Sequence, residues 1–211
     1  MRMLPNSRVV NLALTGGIAT GKSSFARFFL EDCPQTAFFD SDRCVHELLT
    51  KPAIARRIAD SLGAEVTGPD GQLDKGRMRD RIFHDQNSRR TLEGILHPLV
   101  REECQLAQQQ AQNSPGILFF LMDVPLLYES GFPLPRDLEI VVACGVAEQQ
   151  ARLLARNAFS NELATRIIRS QLPIMDKVDR AGVVIWNGGS PATLRRHTSI
   201  FSTWLKSKLI H

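Results

Sequence analysis

The chain is short of the residues that would mark a secreted, zinc-bound or membrane-embedded protein. It holds four cysteines, one tyrosine and two tryptophans in 211 residues. Cys33, Cys44, Cys104 and Cys144 share no C-x-x-C spacing, and no His/Cys cluster accompanies them. Zinc ribbons and thioredoxin-like redox motifs are thereby left without ligands, and free thiols in a reducing compartment are expected. Long apolar runs are missing near the N-terminus. Val9 to Leu14 is interrupted by Asn11 and is too short for a signal peptide or a membrane span, so a cytoplasmic protein with no membrane partner is expected.

Charge of one sign is also scarce. Lysine and arginine exceed aspartate and glutamate by 26 to 22, a net charge of +4, with no run of five or six basic residues. Such diffuse charge suits phosphorylated small molecules and argues against a nucleic-acid arm. The guanine-reading N-K-x-D stretch of a switch GTPase is lacking too, since Asn187 is followed by Gly188 and Gly189. No internal repeat or long linker divides the chain. With 43% apolar and 23% charged residues it can bury the core of one domain, and a monomer is expected.

Hydrophobic patterning then supplies an order of elements. Val9 to Leu14 predicts a buried strand, Thr15 to Thr20 a glycine-bearing turn, and Phe25, Phe28, Phe29 and Leu30 a one-faced helix from Lys22. Thr36 to Phe39 predicts a second strand ending in Asp40-Ser41-Asp42. Strand, helix and strand within about 32 residues make a βαβ unit and imply a parallel sheet covered on both faces. Helices are predicted at Cys44–Thr50, Ala53–Leu62, Lys75–Phe83 and Ser88–Gln112, broken by a turn at Thr67 to Gly71. Buried strands follow at Ile117–Val124, Glu139–Cys144 and Val183–Trp186. Between the last two runs an arginine-rich helical stretch, Ala147–Arg169, and Thr193–Leu209 closes as a helix.

One segment carries specific chemistry. Gly16-Gly17-Ile18-Ala19-Thr20-Gly21-Lys22-Ser23 satisfies G-x4-G-K-[ST] between a strand and a helix. Glycines let successive N–H groups curl toward phosphate oxygens, and the helix adds its positive end. Lys22 places a charge at the β/γ-phosphates and Ser23 offers Mg²⁺ a hydroxyl; Ser24 continues the loop into the helix. A nucleoside triphosphate with its magnesium is the expected ligand.

Transfer of a phosphoryl group also needs carboxylates. Asp40 and Asp42 lie just beyond the second strand, at the sheet edge where open α/β folds bind ligands. With one residue between them in extended chain, their side chains would point the same way. One could serve as base and the other as a metal partner; alternatively they cap the following helix. Asp123, closing an apolar run, is either the carboxylate of the magnesium shell or a turn former ahead of Pro125.

These pieces converge on a resemblance to the dephospho-coenzyme A kinase family over nearly the whole chain. It is carried by Leu14-Thr15-Gly16-Gly17-Ile18 through Lys22-Ser23-Ser24, Asp40-Ser41-Asp42-Arg43, Leu62-Gly63, Asp70-Gly71-Gln72-Leu73-Asp74, and Met78-Arg79 to Phe83. Leu96-His97-Pro98-Leu99, Val124-Pro125-Leu126-Leu127-Tyr128-Glu129, Gln171-Leu172-Pro173, Lys177, Arg180-Ala181 and Asn187-Gly188-Gly189 extend it. The His97-Pro98 and Pro125-Leu126-Leu127 segments are the specific ones. The resemblance implies an α/β, P-loop NTPase-type three-layer sandwich with a parallel sheet, a helical substrate-binding insertion and a lid. It places a core at about 8–42, 114–146 and 182–211, the helical region at about 43–113, and the lid at about 147–181. It implies ATP-dependent phosphorylation of the ribose 3′-hydroxyl of dephospho-coenzyme A, the last step of coenzyme A synthesis. The expected alternative is a P-loop kinase for another nucleoside or nucleotide, which would lack the His-Pro and Pro-Leu-Leu signatures.

By the same resemblance Asp42 matches the general base and Asp40 its partner. Arg156 matches a lid arginine with Arg152 one helical turn earlier, and Asn187 and Gly189 match the loop beside the adenine. Thr15, Arg79, His97 and Leu126 are expected toward the acceptor. Bland readings stand beside these: a solvated arginine face for Arg152, Arg156, Arg166 and Arg169, surface pairing for Arg79 and Arg81, a structural role for His97. The chain departs from the family pattern at Ala19, Tyr128, Asn157 and Gly182, where glycine, phenylalanine, an acidic residue and aspartate are usual. The two lost carboxylates bear on lid geometry and not on the primary roles.

Overall fold

The apolar runs become the strands of one sheet. The computed structural model describes residues 9–69, 72–157 and 160–208. Its strands are β1 (Val10–Gly16), β2 (Thr36–Asp40), β3 (Phe119–Asp123), β4 (Leu138–Ala143) and β5 (Val183–Trp186), in the spatial order β2-β3-β1-β4-β5. The pairs β1–β3, β1–β4 and β4–β5 are parallel. Every residue of β1 and β3 is buried, as befits a parallel sheet covered on both faces. The first strand runs two residues further than the patterning predicts. Thr15 and Gly16 stay in register with Val141 and Val142 of β4, so the phosphate loop begins at the very end of a paired strand.

The chain divides into two compact units, residues 40–106 and the remainder. The sheet-bearing unit contains α1 (Lys22–Asp32), α6 (Val146–Asn157), α7 (Asn161–Arg169), α8 (Ile174–Arg180) and α9 (Pro191–Ser207). One face of its sheet is sealed by aromatics at helical spacing. Phe25 and Phe29 of α1 lie 6.0 Å apart between ring centroids, and Phe201 of α9 is 5.9 Å from each. Arg195 holds both oxygens of Asp32 at 2.7 and 2.6 Å, which ties α9 to the end of α1 and lowers the Asp32 carboxyl below its usual range.

The predicted helical stretch Ala147–Arg169 holds two helices, α6 and α7, and α8 is an addition. Ser160 explains the restart, because its side chain accepts the Leu163 N–H as an N-cap. Residues 158 and 159 of the expected lid, and Asp70 and Gly71 of the turn, lie outside the described residues.

The second unit is helical: α2 (Ser41–Leu48), α3 (Pro52–Leu62), a 3₁₀ turn (Ala64–Val66), α4 (Lys75–His84) and α5, which spans Gln86–Gln112 and so continues past it. Its apolar interior includes Leu48, Ile58, Val66, Met78, Ile95 and Val100. Asp74 caps α4 by accepting the Gly76 and Arg77 N–H groups. All four cysteines are buried free thiols, and burial pushes Cys44 up to about 11 and Cys104 up to about 12, so neither offers a thiolate near neutral pH. Among the described residues no helix is long and apolar enough to cross a membrane.

Candidate active site

A phosphate-binding loop works only if its N–H groups face the ligand, so its carbonyls must be satisfied elsewhere. That condition is met residue by residue. The Gly16 carbonyl accepts from Lys177 Nζ at 3.2 Å, and the Gly17 carbonyl from Thr20 Oγ1 at 2.8 Å. The Ile18 carbonyl accepts from Gln149 Nε2 at 2.7 Å, and that of Ala19 from Arg152 at 3.2 Å. Asn187 Nδ2 donates to the Thr20 carbonyl at 2.8 Å, and the Gly21 carbonyl accepts the Phe25 N–H inside α1. Six consecutive carbonyls are thus satisfied by protein donors. The Ile18 N–H also has a protein partner, the Gln171 side-chain oxygen that accepts it at 2.8 Å.

Two glycines are demanded by geometry. Gly21 has φ +94°, and a Cβ there would lie 2.2 Å from Asn187 Nδ2. A Cβ on Gly16 would lie 2.4 Å from the Val142 carbonyl oxygen. Ala19, where the family usually has glycine, takes φ +57°, the left-handed region an alanine occupies only under strain.

The charges follow from the sheet register. Asp123, the last residue of β3, pairs with Leu14 of β1, so it stands beside the strand that feeds the loop. Lys22, opening α1, reaches Asp123 Oδ1 at 2.5 Å, with side chains 13% and 7% exposed. Ser23 and Ser24 are exposed in the first turn of α1, above its N-terminus. A Mg²⁺ ion fits this donor set, because magnesium takes one or two protein oxygens and draws its remaining ligands from phosphates and water. Ser23 would supply the hydroxyl and Asp123 the carboxylate. Among the described residues no group of three His, Cys, Asp or Glu could hold a metal unaided.

The arginines divide. Arg152 is half-buried and turned inward, bonding the Ala19, Thr20 and Asn187 carbonyls, the last at 2.7 Å. Its guanidinium therefore shapes the loop and the segment carrying Asn187. Arg156, in the last turn of α6, is exposed. Gly189 sits against Thr193 at the start of α9. Thr15 is fully buried and donates to the Pro125 carbonyl at 3.0 Å, and Leu126 is half-buried in the turn that follows.

In the helical unit, the extended Asp40-Ser41-Asp42 expected from the sequence is corrected. The helix begins at Ser41: Asp40 ends β2 and caps α2 by accepting the Arg43 N–H at 3.0 Å, whereas Asp42 already lies in the helix and is exposed. The two carboxylates therefore have different backbone settings. Arg79 is exposed on α4, and His97 is half-buried within α5 beside Pro98. Arg81 is paired with Glu65 at 2.9 Å.

Sequence reasoning singled out neither Gln149 nor Gln171 as a site residue, and it left Lys177 without a role. Lys177 has a fully buried side chain, an ion pair to Glu129 at 2.8 Å, and bonds to the Gly16 and Pro125 carbonyls. A buried lysine is rare enough to draw attention, but its burial cannot be read from a seven-residue helix in isolation.

Comparison with known proteins agrees with this geometry. The dephospho-CoA kinase family model matches residues 10–192. A dephospho-CoA kinase of Bacillus cereus is 38% identical over 183 residues, covering 86% of this chain and 90% of its own. A Thermus thermophilus protein of solved structure superposes with a TM-score of 0.75 at 25% identity, covering 95% of this chain and 98% of that one. A Campylobacter jejuni dephospho-CoA kinase structure shares the fold, with a TM-score of 0.66 at 22% identity and coverage of 93% and 97%. With a parallel sheet, a fully braced phosphate loop and this match over most of its length, the chain belongs to the dephospho-CoA kinase family.

Proposed function

We propose that this protein transfers the γ-phosphoryl group of ATP to the ribose 3′-hydroxyl of dephospho-coenzyme A, giving coenzyme A and ADP. The observation that carries the reading is the loop at Gly16–Ser23, whose carbonyls are satisfied by protein donors, in a chain of this family. The triphosphate lies along the loop amides and the α1 N-terminus. Lys22 neutralises the β/γ-phosphates; Ser23 and Asp123 would hold Mg²⁺, which would offset charge developing on the transferred group. Asp42 takes the proton from the 3′-hydroxyl as its oxygen bonds to phosphorus and the ADP oxygen departs, an assignment supported by the family resemblance. Asp40 fixes the start of α2 and so the position of Asp42. Arg156 adds positive charge from the lid, and Arg152 acts through the backbone of the loop and Asn187. Thr15, Arg79, His97 and Leu126 belong to the acceptor side by the same resemblance. A cytoplasmic monomer that needs ATP and Mg²⁺ completes the reading.

The test is ADP release in a coupled assay with Mg-ATP, comparing dephospho-coenzyme A with adenosine, AMP and pantothenate. Turnover with dephospho-coenzyme A well above the other three is expected. Stimulation by those three alone would sink the reading and favour another nucleoside or nucleotide as acceptor.

A further inference from the structure

Lys177 is 0% exposed. A buried ammonium is costly unless each of its three protons finds an acceptor. Here three oxygens surround it: Glu129 Oε1 at 2.8 Å, the Pro125 carbonyl at 3.1 Å and the Gly16 carbonyl at 3.2 Å. None belongs to a group that would touch phosphate, so the ammonium acts through the backbone.

What it joins gives it a purpose. Gly16 is the first residue of the phosphate loop. Pro125 opens the turn two residues after Asp123, the partner of Lys22, and its carbonyl also takes the Thr15 hydroxyl at 3.0 Å. Lys177 thus ties the entry of the loop to the turn behind Asp123. Glu129 Oε1 accepts the Leu172 N–H at 2.9 Å as well, and the neighbouring Gln171 holds the Ile18 N–H. Residues 171–177 therefore meet the loop at two points, Gln171 on Ile18 and Lys177 on Gly16, and Lys177 is the charged contact. A displacement of about 1 Å at a reacting centre can lower turnover roughly a hundredfold.

We propose that Lys177, held by Glu129, is a positioning residue for phosphoryl transfer: it fixes the Gly16 and Pro125 carbonyls so that the phosphate loop and the Lys22–Asp123 pair keep their mutual geometry. The inference rests on the functional reading above and deepens it.

The experiment uses the full chain and four proteins: wild type, Lys177→Met, Glu129→Gln and the double variant. Thermal midpoint, Mg-ATP affinity and binding stoichiometry by titration, and kcat and KM per nucleotide-binding site are measured. Amide exchange across residues 14–20 is followed on the same samples. Lys177→Met should lower kcat per site roughly 10–100-fold while the Mg-ATP Kd moves less than about fivefold, with faster exchange in the loop. The double variant removes the stranded carboxylate, so its thermal midpoint should recover while its kcat stays low. Recovery of kcat together with the midpoint, or a Lys177→Met kcat within about threefold of wild type, overturns the inference. So does unchanged loop exchange, a readout that needs no acceptor. A wild type that binds Mg-ATP but ignores dephospho-coenzyme A rejects the functional reading instead, and the exchange data still decide the role of Lys177.

Discussion

Polar contacts around the phosphate loop and polar contacts in the helical unit are of opposite kinds. Apart from Thr20 on Gly17, the loop is held by side chains 131 to 167 residues away in sequence, from Gln149 on Ile18 to Asn187 on Thr20. Several of these partners are buried to 6% exposure or less. In the helical unit the ion pairs mostly join residues three or four apart and face water, as Arg43–Glu47, Arg89–Glu93 and Asp74–Arg77 do. Exposed pairs contribute about 0–1 kcal/mol, so that unit stands on its apolar interior. A buried bond whose loss strands an acceptor is worth about 1–3 kcal/mol, and it also fixes direction. Buried, long-range bonds are concentrated around the phosphate loop.

The comparison breaks most sharply at Asp42, which lies in the lightly tied unit and yet is assigned the base. Asp42→Asn should lower kcat roughly 10²–10⁴-fold, the usual contribution of a general base, while the Mg-ATP Kd stays near wild type. Steady-state kinetics beside titration calorimetry checks it. Near-normal turnover would return Asp42 to a role in the first turn of α2 alone.

Next in size is the brace behind Gly21. Asn187→Ala removes the short donor to the Thr20 carbonyl and leaves that buried acceptor only the long 3.5 Å contact from Arg152, which should cost about 1–3 kcal/mol. At roughly 2–4 °C per kcal/mol for a chain of this size, the thermal midpoint should fall visibly, and Mg-ATP should bind more weakly. A midpoint loss with unchanged nucleotide affinity would mean that the carbonyl brace serves folding without shaping the loop.

The same contrast explains what could be read beforehand. Gly16 to Ser23 and the apolar strands are local patterns, and short-range physics writes them into consecutive residues. The helix start at Ser41 was less visible, because Asp40 suits both an extended edge and an N-cap, and only the accepted Arg43 N–H decides between them. Gln149, Gln171 and Lys177 carry no local mark at all. Their bonds to the loop exist only once α6, the segment before α8 and α8 itself have been folded back onto it, at separations of more than 130 residues.

Ala19 tests whether the brace compels strain. Its φ of +57° costs an alanine about 1–2 kcal/mol, whereas glycine adopts the conformation freely but loses about 0.4–1 kcal/mol through the more flexible unfolded chain. The first effect is larger, so Ala19→Gly should stabilise the protein by about 0.5–1 kcal/mol. Chemical denaturation reads the change, and a loss of stability would show that the loop relaxes at this residue instead of holding it.

The smallest effect sharpens the other side of the comparison. Arg89 and Glu93 pair at 2.9 Å with side chains 45% and 38% exposed, one helical turn apart on α5. Deleting this contact with Arg89→Ala should change stability by only about 0.3–0.5 kcal/mol, and alanine's better helix propensity opposes even that loss. The residual effect is Coulombic between exposed groups, so it should fade as ionic strength rises and the screening length shrinks from about 10 Å at 0.1 M salt to about 3 Å at 1 M. Asn187→Ala, acting through a buried carbonyl, should keep its full effect over the same range. Denaturation midpoints of both variants in low and high salt make the measurement. If the Arg89→Ala loss persists at 1 M salt, the helical unit relies on its surface pairs more than their exposure allows.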